Sequence, residues 1–501
     1  MIQGTGSSVG KSIVVTALCR IFKQDGFRVA PFKSQNMALN SFVTRSGGEM
    51  GRSQVVQAEA SGVEPDVDMN PILLKPEADS KSQVVVMGKP AMTLTAGEYR
   101  CHTPELLSIV KESLARLCSM YDIVVIEGAG SPAEINIREH EIVNMRIAEL
   151  AGAPVLLVGD IDKGGVFASL VGTLALLKKK EQDSVRGFII NKFRGDIDLL
   201  QPGLDYLENY TSKPVIGVIP YYHHISIPEE DSIFSGNVAR DENAAGVVDI
   251  AVVRLPHLSN STDFEPLHQE TGVKVRYIRT VDEIGHPDAI ILPGSKSTIA
   301  DLAYLRRSGL AERIVQQAKS DTPLVGICGG FQMLGREIKD ADGVESEGGS
   351  VAGLGLLDTV TIFQPQKTTC QVRARVLGNE GLLEGLEGEE VTGYEIHMGQ
   401  TMGNSTRPLF LITQKMGGEA GYIDGAVASG GLIFGSYLHG LFDSTGFRRS
   451  FLSKLRQRKG LPPVPEQPIP GRQEQYDKLA DIVRRNLDLK LVYRICGLAV
   501  E

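Results

Sequence analysis

Short apolar runs rich in β-branched residues recur along the chain, each bounded by glycine or polar residues. The first four are Ile123-Val124-Val125-Ile126, Val155-Leu156-Leu157-Val158, Gly187-Phe188-Ile189-Ile190 and Val215-Ile216-Gly217-Val218. Runs of this kind are strands buried on both faces, and helical patterns lie between them, so the first half predicts a parallel α/β layer. The stretch 235–246 is polar and aperiodic, which marks a domain boundary. Beyond it the alternation resumes with Asp249-Ile250-Ala251-Val252-Val253, Ala289-Ile290-Ile291-Leu292, Leu324-Val325-Gly326-Ile327 and Leu432-Ile433-Phe434, a second α/β sheet. In the tail, Pro462-Pro463-Val464-Pro465 is a stiff connector. Tyr476, Leu479, Ala480, Val483 and Leu487 then fall at helical spacing, the apolar stripe of a terminal helix that docks on the rest. The expected division is 1–235, 247–445 and a tail of 446–501.

Composition narrows the function classes. A chain of 501 residues exceeds what one core organises, and 42% hydrophobic with 23% charged residues describes an ordinary globular protein. The net charge of -9 argues against general binding to nucleic acid or membrane surfaces, so anionic ligands need local basic pockets. Six cysteines are scattered without metal-ligand spacing, which suits a reducing cytosol and one reactive thiol. No apolar run approaches the ~18 residues that span a bilayer. The expected compartment is the cytoplasm.

The thiol that stands out is Cys328. In Gly326-Ile327-Cys328-Gly329-Gly330-Phe331-Gln332 an apolar strand breaks at a glycine-flanked cysteine and continues into a helical pattern. Flanking glycines permit a tight turn, and the helix N-terminus that follows stabilises negative charge and aims amides at an oxyanion, which is how a nucleophile is presented. A thiolate needs a base. His439, in Gly435-Ser436-Tyr437-Leu438-His439-Gly440, follows the Leu432 run; His397, in Gly393-Tyr394-Glu395-Ile396-His397-Met398-Gly399, competes with it. The amides of Gly294 and Gly329 are the expected oxyanion donors.

A different chemistry opens the chain. Gly4-Thr5-Gly6-Ser7-Ser8-Val9-Gly10-Lys11-Ser12 precedes Val14, Val15, Leu18 and Ile21, the core stripe of a helix. A glycine-rich loop opening a helix offers unpaired N–H groups to phosphate oxygens; Lys11 supplies charge at the β/γ-phosphates and the Ser12 hydroxyl is a ligand for Mg²⁺, which makes ATP the expected nucleotide. The spacing departs from the common loop, because Thr5 stands where the first glycine usually does. Only Met1, Ile2 and Gln3 precede it, so the feeding strand is very short or begins outside this sequence. Glu127, in Glu127-Gly128-Ala129-Gly130, follows the Ile123 run at the strand edge where open α/β sheets bind ligands, a second Mg²⁺ ligand. Asp160 and Asp162 follow the Val155 run, either as metal or substrate contacts or as helix caps. Lys33 and Asn36 in 32–37, Arg52, Lys75 in 70–76 and Arg194 in 191–196 cluster near predicted strand ends, a group suited to nucleotide and to carboxylate substrates.

Gly-Ile-Cys-Gly-Gly-Phe-Gln-Met-Leu-Gly with Tyr-Leu-His-Gly resembles the class I glutamine amidotransferase domain. Its fusion behind this phosphate loop, together with Phe-Lys-Ser-Gln-Asn-Met-Ala-Leu-Asn-Ser, Asn-Pro-Ile-Leu-Leu-Lys-Pro, Asp-Ile-Asp-Lys-Gly-Gly-Val-Phe, Asn-Lys-Phe-Arg-Gly-Asp and Gly-Tyr-Glu-Ile-His-Met-Gly, is similar to the glutamine-hydrolysing cobyric acid synthase family. The front half also resembles dethiobiotin synthetase. The resemblance implies an α/β fold with an N-terminal P-loop parallel-sheet domain, then a class I amidotransferase-like α/β domain. Cys328 is then the glutaminase nucleophile, His439 its base and Gln332 a contact to glutamine. MgATP activates a corrinoid carboxylate, and ammonia from glutamine converts adenosylcobyrinic acid a,c-diamide at its b, d, e and g carboxylates to cobyric acid. One departure stands out: triad amidotransferases carry His-Pro-Glu, whereas this chain reads His439-Gly440-Leu441, leaving Asp443, Glu395 or nothing to orient the histidine. The a,c-diamide synthase of the same pathway shares the plan, but segments 33–40 and 70–76 favour cobyric acid synthase. A partitioning ATPase switch would carry a signature lysine where Gly6 stands.

Overall fold

The computed structural model describes residues 1–78, 81–222, 246–403, 405–463 and 471–498. The expected boundary at 235–246 lies outside them up to residue 245, as do Val464 and Pro465 of the connector. The chain forms two compact units: Met1–Ala38, Met50–Ser235 and Pro470–Glu501 make the first, Leu39–Glu49 and Gly236–Ile469 the second.

The first unit is built on parallel strands. Ile2–Gly4, Val155–Asp160, Val185–Phe193 and Val215–Pro220 are neighbours in that order, with Gln3 opposite Leu157 and Val158 opposite Ile189. Val29–Phe32 pairs in parallel with Ile123–Ile126, and an Ile2–Glu127 bridge joins this pair to the others. The four runs read as strands are therefore strands, each extended by a residue or more except Ile123–Ile126. The feeding strand before the glycine-rich loop is the three-residue Ile2–Gly4. Its shortness is tolerated because it lies between two strands and Ile2 is buried. Helix Lys11–Gln24 packs its Val14, Val15, Leu18 and Ile21 stripe into the same core as Leu479, Ala480 and Val483 of helix Arg472–Asn486. Burying each such side chain contributes on the order of 1.5–3 kcal/mol, which is why the terminal helix docks. An Arg20–Asp477 ion pair of 2.7 Å and an Arg484–Asp25 pair of 2.8 Å flank that seam. A second small sheet, Gln35–Met37, Ile72–Ala78, Lys81–Val86 and Lys89–Thr95, precedes the long helix Ala96–Met120, whose start is fixed by a Thr95–Glu98 capping box.

The second unit begins as a parallel sheet, Val273–Ile278, Val248–Val253, Ala289–Leu292, Leu324–Ile327 and Ile433–Ser436 in spatial order. It continues as an antiparallel block through Gly418–Val427, Arg407–Lys415 and the long Thr359–Val376, which also pairs with Glu390–Gly403. Helix Thr445–Arg458 buries Phe447, Phe451, Leu452 and Leu455 in this unit's core, so the tail 446–501 is shared between units. No helix among the described residues is long and apolar enough to cross a membrane.

Candidate active site

In the second unit the strand Leu324–Ile327 ends on Cys328, and helix Gly329–Leu334 begins at the next residue. Cys328 has φ 51° and ψ −108°, a conformation that residues with a Cβ avoid, so the turn holds backbone strain to set the thiol at its apex. The glycines are required sterically: a Cβ on Gly330 would lie 2.0 Å from the Leu292 carbonyl oxygen. Gly329 N–H belongs to the first helical turn, whose amides have no acceptor within the helix. Gly294 faces the same centre, since a Cβ there would sit 3.1 Å from His439 Cε1.

His439 lies on the two-residue strand Leu438–His439, held antiparallel to Glu390–Gly403 with Tyr394 opposite it. Its Nδ1 donates to Asp263 Oδ2 at 2.7 Å, and both side chains are almost wholly buried. The other carboxylate oxygen of Asp263 accepts the Gly440 N–H at 2.9 Å, so one side chain fixes both the ring and the peptide after it. Tyr394 stacks on the imidazole at 5.3 Å. Cys328 Sγ donates to the Ile396 carbonyl at 3.3 Å. Burial opposes charging the ring, but Asp263 and Cys328 outweigh it and hold the imidazole up at about 10. A charged imidazole carries the proton that a leaving amine needs.

The carboxylate facing His439 is therefore Asp263, not Asp443 or Glu395. Glu395 is engaged elsewhere, accepting from Tyr422 O–H at 2.8 Å and from Cys370 Sγ at 3.4 Å. His397 does not compete as base. It donates Nδ1–H to the Gly399 carbonyl at 2.7 Å, stacks on Tyr437 at 3.7 Å, and burial pushes it down to about 4. Gln332 lies one helical turn beyond Cys328; Thr298 Oγ1 donates to its Oε1 at 3.1 Å and its Nε2 donates to Tyr437 Oη at 3.2 Å. Segment Leu39–Glu49 reaches this centre too. Asn40 Oδ1 accepts the Ser261 N–H at 2.9 Å, and Ser41 N–H donates to Asn260 Oδ1 at 3.0 Å. The Asn260 amide nitrogen is 3.4 Å from His439 Nδ1.

In the first unit the loop 4–10 leaves the strand Ile2–Gly4 and enters helix Lys11–Gln24 through Gly10, whose φ of 97° only glycine adopts readily. A Cβ at Gly10 would meet Asn191 Nδ2 at 2.0 Å; that amide donates to the Val9 carbonyl at 2.9 Å and Lys192 Nζ donates to the Ser8 carbonyl at 2.8 Å. The loop is thus clamped from the strand Val185–Phe193. Lys11 Nζ folds back onto the carbonyls of Gly6 at 2.7 Å and Gly130 at 3.1 Å. Ser12 Oγ donates to Glu127 Oε1 at 2.9 Å, and Lys33 Nζ lies 3.0 Å from the same oxygen. Gln57 Nε2 donates to Glu127 Oε2. Burial works against ionising Glu127, but Lys33, Gln57 and Lys11 prevail and hold its carboxyl below the ordinary range.

These residues fit a magnesium ion in part. Hydroxyl and carboxylate oxygens converge at the helix start, the hard donor set the ion takes, and Asn144 Oδ1 and Asn191 Oδ1 around the loop are buried with no hydrogen-bond partner among the described residues. No cluster of three or more His, Cys, Asp or Glu suited to a metal occurs among the described residues, so phosphates and water would complete the shell. Asn36 is turned to Gln54 Oε1 at 2.9 Å, while Arg52 and Lys75 are buried. Asp160 pairs with Lys192 at 3.0 Å and caps its own turn by accepting the Asp162 N–H; Arg194 pairs with Asp162 at 3.0 Å and covers Tyr221. Thr5 N–H donates to Val158 O at 3.0 Å, so it continues the sheet. The sequence pointed to Asn191 and Lys192 only as part of the segment 191–196, and it did not single out Asp263 or Gln57. Asp263 had one signal, its place in a polar run that follows the strand Val248–Val253 at the sheet's carboxyl edge.

Residues 249–447 match the CobB/CobQ-like glutamine amidotransferase domain, and residues 1–233 match the CobQ/CobB/MinD/ParA nucleotide binding domain. A protein of Dehalococcoides mccartyi named cobyric acid synthase is 55% identical over 99% of this chain and 97% of its own length. Proteins of the same name from Sorangium cellulosum and Moorella thermoacetica are 54% and 52% identical, over 99% of this chain and 98% and 97% of their own lengths.

Proposed function

The chain belongs to the cobyric acid synthase family, and we propose that it couples glutamine hydrolysis in the second unit to ATP-driven amidation of corrinoid carboxylates in the first. The observation that carries the reading is the buried line Cys328–His439–Asp263 on a strained strand-to-helix turn. Cys328 Sγ attacks the glutamine amide carbon, and the amides of Gly329 and Gly294 take the developing oxyanion. His439 passes its proton to the departing ammonia and leaves glutamate as a thioester on Sγ. It then removes a proton from water, which releases glutamate and restores the thiol. Asp263 keeps Nδ1 protonated, so the other ring nitrogen does both proton transfers.

In the first unit the glycine-rich loop, Lys11 and the start of helix Lys11–Gln24 hold the ATP phosphates. A magnesium ion at Ser12 and Glu127 would neutralise charge on them. A substrate carboxylate oxygen attacks the γ-phosphorus, ADP leaves, and an acyl phosphate forms. Ammonia attacks its carbonyl carbon and inorganic phosphate departs. Asn36, Arg52, Lys75 and Arg194 are the cationic and amide side chains assigned to the corrinoid's carboxylates. By family, the acceptor is adenosylcobyrinic acid a,c-diamide, amidated at four positions.

Incubating the protein with ATP, glutamine and that corrinoid, and resolving the products by mass, tests the reading. Successive conversion of acid to amide, with ADP and glutamate formed in step, is the expected result. Amidation of cobyrinic acid instead, at its first two carboxylates, would assign the chain to a,c-diamide synthesis.

A further inference from the structure

The oxyanion amides and the carboxylate behind His439 belong to separate segments, and one further side chain ties those segments together. Asp301 lies in the first turn of helix Thr298–Arg307 and is completely buried. The hydrolytic steps do not use it. Its Oδ2 accepts the Ser295 O–H at 2.6 Å, and its Oδ1 accepts Nδ1–H of His257 at 2.8 Å. The His257 backbone N–H lies 3.3 Å from Oδ1 and 3.2 Å from Oδ2, and the Ser295 hydroxyl accepts the Ser297 N–H at 3.0 Å. Burial pushes the Asp301 carboxyl up, and the bonds from Ser295 and His257 pull against it. A helix that needed only to be anchored in the core would use an apolar side chain, since a buried carboxylate has to be matched bond for bond.

The two partners of Asp301 stand on the two segments that build the site. Ser295 belongs to the strand Gly294–Ser295, which pairs antiparallel with Leu258–Ser259, and the Lys296 N–H extends the ladder to the His257 carbonyl at 2.9 Å. Gly294 is one of the two residues assigned to the oxyanion. A Cβ on Gly329, the other, would be 2.9 Å from Ser295 N and 3.1 Å from Ser295 Cβ, so the strand packs directly on the turn that holds Cys328. His257 opens the second segment. After Leu258–Ser259 come Asn260, whose amide nitrogen is 3.4 Å from His439 Nδ1, and Asp263, which accepts from the same ring nitrogen. Two strands of two residues each do not hold a fixed position unaided. Asp301 gives them an outside reference, because its helix buries Leu302 and Leu305 in the unit's core.

We infer that Asp301 is a positioning residue that sets the strand Gly294–Ser295 against Cys328 and keeps the segment 257–263 in line with His439, acting through Ser295 and His257. The inference rests on Cys328 being the glutaminase nucleophile. It separates two kinds of chemistry at one thiol: reactions that build an oxyanion depend on Asp301, and reactions that build none do not.

Asp301→Asn, which keeps the shape of the side chain, is tested in the intact protein with ATP and corrinoid present. Its kcat for glutamine hydrolysis is expected to fall on the order of 10- to 100-fold with KM within about threefold of the wild type, because a displaced oxyanion donor weakens the transition state more than the ground state. Inhibition by glutamate γ-semialdehyde, whose carbonyl carbon takes Sγ to form a tetrahedral hemithioacetal, should weaken by a similar factor. Alkylation of Cys328 by iodoacetamide, which displaces iodide and builds no oxyanion, should stay within about twofold, followed by mass on the peptide that contains Cys328. Ser295→Ala cuts one tie and serves if Asp301→Asn does not fold; it should lower kcat about 3- to 10-fold. The double variant should be no slower than Asp301→Asn alone, since both substitutions remove the same bond. Unchanged kcat and aldehyde inhibition in Asp301→Asn, alkylation that falls in parallel with kcat, or effects of the two substitutions that multiply would each overturn the inference. If the aldehyde does not inhibit the wild type and Cys328→Ala still hydrolyses glutamine, the nucleophile assignment fails; if the wild type responds and Asp301→Asn equals it, only the positioning role fails.

Discussion

The two units solve opposite problems in holding charge. In the second, the buried groups are held by the protein itself: Asp263 holds His439 at 2.7 Å, and a backbone at φ 51° holds Cys328. In the first, the cations are parked on stand-ins. Lys11 rests on two carbonyls, Lys33 on Glu127 and Lys192 on Asp160, all groups that phosphate oxygens or a metal can displace. A nucleophile must be ready before its substrate arrives, whereas a phosphate site completes itself with the charge its ligand carries.

Breaking the self-contained line should have the largest effect. Cys328→Ala is expected to lower glutamine-dependent amidation on the order of 10⁴-fold or more, while amidation from added ammonium salt persists; equal loss with both nitrogen sources would show that the units do not divide the work. Asp263→Asn should come next, with a fall of about 10³-fold in glutamine hydrolysis and little change in KM, since the ring loses its held tautomer. In the other unit, Lys11→Ala should reduce ATP-dependent amidation about 10²–10³-fold from either nitrogen source, yet leave labelling of Cys328 by a glutamine analogue intact.

A pH titration sharpens the comparison further. His439 goes from an ordinary 6.5 to about 10 in the folded chain, so its contribution to stability is full below pH 6.5 and is lost as pH rises toward 10. Unfolding of the wild type between pH 7 and 10 should therefore show a loss that Asp263→Asn lacks, measured by denaturant titration at each pH. The smallest effect is expected at the terminal helix, where the partly exposed Arg484–Asp25 pair should cost under about 1 kcal/mol on Arg484→Ala.

What could be read from the chain was what is encoded locally. The glycine-flanked cysteine and the Gly-Lys-Ser loop each fit within a strand, a turn and a helix, and the parallel strands legible in the chain are apolar runs, unlike Val273–Ile278, which reads Val-Lys-Val-Arg-Tyr-Ile. Asp263 was hidden because its partner is 176 residues away and the usual place after His439 is taken by Leu441. The antiparallel block was equally quiet. Thr359–Val376 alternates buried Ala374 and Val376 with exposed Arg373 and Arg375, so it has no dense apolar run.

The chain changes unit at 38/39, at 49/50, at 235/236 and at 469/470. Cutting the gene at its middle would therefore not yield two modules. A fragment beginning at 236 would lose Asn40 and Ser41, which brace the Asn260–Ser261 turn beside His439, and would carry Tyr476, Leu479 and Val483 with no core to enter. Two enzymes joined end to end could be separated by evolution or by a protease; this chain is stitched, and each half has lent the other a piece that it cannot take back.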